Sequence, residues 1–76
     1  MKNFSVTVIF ENGKMVPVSF ELNNREYEVK RIPIVFERID GGRKYLCFGV
    51  DTGGALVELR LDRENLQFTV CNFQPV

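Results

Sequence analysis

The chain has no histidine, no tryptophan and only two cysteines. Without imidazole, Ser-His-Asp and Cys-His arrangements cannot be assembled from its own residues. Two thiols fall short of the four soft or nitrogen ligands of an ordinary zinc site, so carboxylates would have to complete the set. An excess of one charge is missing as well. Ten basic and ten acidic residues cancel, leaving no long-range field to draw in nucleic acid or an anionic membrane. No apolar run approaches a membrane span, and the opening MKNFSVTVIFENGK alternates where a signal peptide would be continuous. No stretch carries an apolar stripe at 3.6-residue spacing, so no helix is expected. Together these absences predict a cytoplasmic, non-enzymatic chain with reduced thiols, no cofactor, no metal ligands and no catalytic residue.

What is present is β pattern, in a chain just long enough at 76 residues to bury one core without staples. Residues 1–76 are read as a single domain. Phe4, Val6, Val8 and Phe10 alternate with Ser5, Thr7 and Ile9, the signature of a strand with one buried face. A second strand follows over Lys14 to Leu22. A two-residue Asn12-Gly13 turn would set Val8 against Pro17 and Val6 against Ser19, wasting the apolar row of Val16, Val18 and Phe20. A three-residue Glu11-Asn12-Gly13 loop is therefore expected, with Phe4 facing Phe20 and Val6 facing Val18.

The run Arg25 to Ile39, REYEVKRIPIVFERI, is the centre of the pattern. Tyr27 and Val29 fall on odd positions but Ile32, Ile34 and Phe36 on even ones, so a bulge near Lys30 to Pro33 must shift the phase. At ~3.3 Å per residue the run would reach roughly 50 Å, too long for one straight strand. It is read as one bent strand, entered through an Asn23-Asn24 turn that sets Phe20 against Tyr27 and Val18 against Val29. Turns at Asp40-Gly41-Gly42, Asp51-Thr52-Gly53-Gly54 and Asp62 to Asn65 complete the chain. In that reading Phe36 meets Leu46, Ile34 meets Phe48, Phe48 meets Val57, Leu59 meets Phe68 and Leu61 meets Leu66. The expected fold is all-β: a six-stranded antiparallel meander, bent at its third strand and curled into a small barrel or two-layer sandwich.

The same registers send three rows to the outer face of the last four predicted strands. They run Glu37, Tyr45, Arg60, Gln67; then Val35, Cys47, Glu58, Thr69; then Pro33, Gly49, Leu56, Cys71. The lower rows are apolar for a solvent face, and Phe73 lies beyond them. Val35, Tyr45, Cys47, Leu56, Cys71 and Phe73 thus form a candidate surface for a protein partner or a second copy in a homodimer. Cys47 and Cys71, with a strand between them, stand roughly 9 to 10 Å apart, past the ~7 Å limit for a disulfide. The alternative from another class is single-stranded nucleic acid bound by Lys30, Arg31, Arg38, Arg43 and Lys44, with aromatic residues nearby. Glu26, Glu28, Glu37 and Asp40 share that stretch and oppose it. The glycine turns DGGR and DTGG neither open a helix nor end in Gly-Lys-Ser/Thr, so they are read as hairpin geometry rather than phosphate loops.

The run FELNNREYEV, then a Gly-containing hairpin, then ALVELRLDRENLQFTV, resembles short uncharacterised bacterial all-β domains. In those a Gly-Arg-x-Tyr-x-Val strand precedes a Glu-Leu-x-x-Asp hairpin and a closing aromatic residue. Asn24 stands here where that pattern prefers Gly, and Phe68 where Trp is usual. The matching residues are turn and core types, so the resemblance implies a fold and no activity.

Overall fold

The computed structural model describes residues 4–76. Seven strands run through them: β1 (Phe4–Glu11), β2 (Lys14–Leu22), β3 (Arg25–Glu28), β4 (Arg31–Asp40), β5 (Arg43–Asp51), β6 (Ala55–Asp62) and β7 (Phe68–Pro75). All pairings are antiparallel between sequence neighbours, in sheets of order β1-β2-β3 and β4-β5-β6-β7. The sheets do not close into a barrel. Their inner faces share one apolar core, with Phe20 from the first sheet and Phe48, Val50, Ala55, Val57, Leu59 and Leu61 from the second.

The expected six strands are seven because the long third strand divides at Val29 and Lys30. There the chain changes sheets. The Val29 N–H donates to the Val18 carbonyl of β2 at 3.0 Å, and the next amide, Lys30, donates to the Asp51 carbonyl of β5 at 2.8 Å. The phase shift falls where the pattern placed it, since the β4–β5 register slips between Arg31 and Ile34.

Hairpin geometry differs from expectation in four of five turns. Asn12 and Gly13 both have positive φ, 54° and 74°, and form a two-residue type I′ turn with Glu11 opposite Lys14. Val8 does face Pro17, but the register then shifts at Val18, so Val6 meets Phe20 and Phe4 meets Leu22. A bulge recovers the apolar row that the three-residue loop was meant to save. Gly41 and Gly42, at φ 59° and 80°, make another two-residue turn, with Asp40 opposite Arg43. One residue fewer in this loop moves β4 by one position against β5 and exchanges its faces. Val35 therefore pairs with Phe48 on the inner side, while Ile34 and Phe36 pair with Gly49 and Cys47 on the outer side.

A two-residue Gly53-Gly54 connection, closed by Thr52 N–H donating to the Ala55 carbonyl at 3.0 Å, sets Phe48 against Leu59 and Val50 against Val57. In the last hairpin Asp62 organises the turn. Its carboxylate accepts from the Glu64 amide at 2.8 Å, and its carbonyl accepts from the Leu66 amide at 2.8 Å. Leu61 then meets Phe68 and Leu59 meets Val70, two residues beyond the expected register, and a bulge at Cys71 brings Phe73 opposite Val57. The Asn23-Asn24 turn stands as read, with Phe20 opposite Tyr27 and their rings stacked at 5.1 Å.

Candidate functional site

The outer face of the β4–β7 sheet is the surface singled out by the sequence, and its true registers give it a different make-up. Across the strands run Arg38, Tyr45 and Asp62; Phe36, Cys47, Arg60 and Thr69; Ile34, Gly49, Glu58 and Asn72; then Arg31, Asp51, Leu56 and Gln74. The lower part is apolar, with Ile34 at 55% and Leu56 at 44% exposure beside a shallow hollow of about 230 Å³ that Pro33, Phe36 and Gly49 also line. Gly49 is needed there. A Cβ on it would come within 2.7 Å of Ile34 Cγ2, so the absent side chain lets Ile34 lie flat on β5.

Of the six residues expected to meet a partner, three lie on this face. Tyr45 is half-buried under Arg60, whose guanidinium stands 4.3 Å from the ring centroid. Leu56 is exposed. Cys47 points to the outer side yet is fully buried, because its row neighbours Phe36 and Arg60 are much larger and cover it. It cannot touch a partner, and burial pushes its thiol pKa upward, so it is also unreactive. Val35 and Phe73 are corrections. The one-residue change in the β4–β5 turn puts Val35 on the inner row, and the bulge at Cys71 does the same for Phe73, which packs edge-on against Tyr27 at 5.5 Å. Cys71 is exposed at that bulge, and both cysteines are free.

Sequence reasoning missed Ile34, Phe36 and Ile39. Ile34 and Ile39 are exposed, Ile39 at 70%, and all three sit on β4, which pairs with β5 alone. The signal that could have found them is the Gly41-Gly42 pair, which supplies the two consecutive positive φ values of a type I′ turn and so favours a two-residue loop, and with it the face of every residue of β4 beyond its bulge.

The cations of the nucleic-acid alternative do not converge on one surface free of acids. Lys30 pairs with Glu28 at 3.0 Å and Arg31 with Asp51 at 2.6 Å, while Arg43 holds Asp62 at 2.7 Å and lies 3.4 Å from Glu64. Arg38 sits 5.7 Å over the Phe36 ring. Lys44 alone of the five carries no such contact among the described residues. The Arg43 guanidinium, helped by the Glu64 amide, holds the Asp62 carboxyl below the usual carboxylate range, and Arg31 with the Gly53 amide does so for Asp51. These are turn-locking pairs. Among the described residues no three His, Cys, Asp or Glu side chains gather to hold a metal ion, and no helix is long and apolar enough to cross a membrane.

Compared with protein-family models, with curated proteins and with solved structures, the chain matches none.

Proposed function

We propose that this protein is a non-enzymatic interaction module that pairs with a second copy of itself along β4. The observation supporting this reading is the state of that strand. β4 is an edge, bonded to β5 on one side only, and it bears exposed apolar side chains on both faces, Ile34 outside and Val35 and Ile39 inside. Hydrogen bonds alternate along an antiparallel ladder, and the type I′ turn commits Asp40 to Arg43, so the amides of Val35, Glu37 and Ile39 point to the open edge. An unpaired edge of this kind is a template for another strand, and isologous pairing would extend the sheet and bring the exposed apolar side chains of the two β4 strands together.

Sedimentation velocity tests the reading directly. The parent chain is expected to show a concentration-dependent dimer. Ile34→Lys, with an unpaired ammonium facing a dry contact, is expected to sediment as a folded monomer. A parent chain that stays monomeric at high concentration removes self-association.

A further inference from the structure

Between the tip of the β1–β2 hairpin and the end of the second sheet where β5 and β6 meet the 63–66 loop, the two layers part. A groove of about 670 Å³ opens there. Phe48 and Leu61, both buried, contribute to its lining, while Phe10, Val35 and Leu66 line it at 74%, 51% and 62% exposure. These are three of the large apolar side chains that the domain leaves to water, gathered at one place. Two charged side chains line the groove, Lys14 and Arg63, and no carboxylate does. Arg63 gives one arm of its fork to Glu37, while Lys14 has no acid partner among the described residues.

Leu66 adds an independent sign. Its φ is 59°, a left-handed conformation that the other non-glycine residues to adopt it among the described ones, Asn12, Asn23 and Asn24, reach as asparagines in turns. A branched apolar residue is a poor choice for that backbone, and glycine or asparagine would relieve the strain. The leucine is held there by the Asp62 turn, and its side chain lines the groove rather than the core. Strain kept at one position in favour of a side chain that the core does not use directs attention to what that side chain touches.

The geometry points to a binding site for a single-chain amphiphilic anion, a fatty acid carboxylate, with its alkyl chain along the Phe48 and Leu61 surface and its head group at Lys14 and Arg63. The volume lies within the ~300 to 1,000 Å³ of ordinary ligand pockets, and the make-up matches their pattern of apolar lining with a few placed polar groups. Lys14, the lining cation without an acid partner among the described residues, sets the sign of the head group, with the second arm of Arg63 beside it. This site does not depend on β4 pairing.

Isothermal titration with octanoate, decanoate and dodecanoate, each below its micellar concentration, tests the site. Affinity should rise about fourfold for each added methylene until the groove is filled. Dodecanoate should bind at least tenfold tighter than dodecyltrimethylammonium, and Lys14→Glu should remove most of that preference. Leu66→Gly should raise the melting temperature and weaken dodecanoate binding together, an opposition that a purely structural leucine would not produce. Equal binding of the anionic and cationic chains, or a dodecanoate affinity untouched by both Lys14→Glu and Leu66→Gly, overturns the assignment. Repeating the titration on the Ile34→Lys variant separates it from self-association.

Discussion

β4 and β6 carry similar apolar content, RIPIVFERID in one and ALVELRLD in the other, and end in opposite environments. Every second residue of β6, from Ala55 to Leu61, is buried, whereas β4 has no buried residue at all. The difference lies in neighbours rather than in composition. β6 is flanked by β5 and β7 and its inner face meets the first sheet, while β4 is an edge whose Val35 looks into the groove. An apolar strand is a core strand only if the topology supplies something on both sides of it.

The sharpest way to break that comparison is to truncate the two strands in parallel. Leu59→Ala, at a position with no exposed surface, should cost ~2 to 5 kcal/mol, and Ile39→Ala less than ~1 kcal/mol. For a domain of this size that is a drop in melting temperature of roughly 10 °C or more against a few degrees. At concentrations where the chain is monomeric, equal losses would mean that β4 is covered by the protein's own chain.

Gly49→Ala comes next. Gly→Ala in a strand would ordinarily gain a few tenths of a kcal/mol from the unfolded chain, but the Cβ 2.7 Å from Ile34 Cγ2 should turn this into a loss of ~1 kcal/mol or more. Adding Ile34→Ala should restore most of it. A double variant no more stable than Gly49→Ala would contradict the pairing of β4 with β5 in this register.

Acid should distinguish the turns from the core. The folded-state pKa of Asp62 is depressed, by Arg43 first and the Glu64 amide second. Its contribution is therefore fully present above the unfolded pKa of about 4 and is lost as pH falls through the lower folded value. Asp62→Asn should leave a melting temperature that falls less than the parent's between about pH 5 and about pH 2. Parallel acid profiles would show that the Arg43 pair contributes nothing to stability. The smallest effect belongs to the first sheet, where Glu21 and Glu26 face each other across β2 and β3. Glu21→Lys should stabilise by ~0.3 kcal/mol at low salt and by less as salt rises, and a lower melting temperature would argue for a bound cation between the carboxylates.

Strand content and turn positions were legible in the sequence because alternation and Asn/Gly/Asp pairs report local backbone preference. Register was not. A two-residue Asn12-Gly13 turn wastes the apolar row of Val16, Val18 and Phe20 only if the β1–β2 ladder runs unbroken, and the structure keeps that turn and recovers the row with a bulge at Val18. The bulge at Val18 has a local mark in Pro17, which cannot donate to the ladder and interrupts it there, whereas the bulge at Cys71 has none. The candidate surface inherited these errors. Tyr45 and Leu56 keep the outer face because β5 and β6 shift by an even number of residues against the expected register, whereas Val35 and Phe73 change sides under odd shifts.

The exchange of sheets between Val29 and Lys30 has a consequence for how the domain opens. Two adjacent amides are locked by carbonyls that belong to different sheets, Val18 in one and Asp51 in the other. Each can meet solvent deuterium only when its own sheet lets go, so their exchange rates read two opening equilibria from one dipeptide. Similar protection factors would mean that the sheets part together as one cooperative unit. A gap of several powers of ten would identify which layer dissolves first.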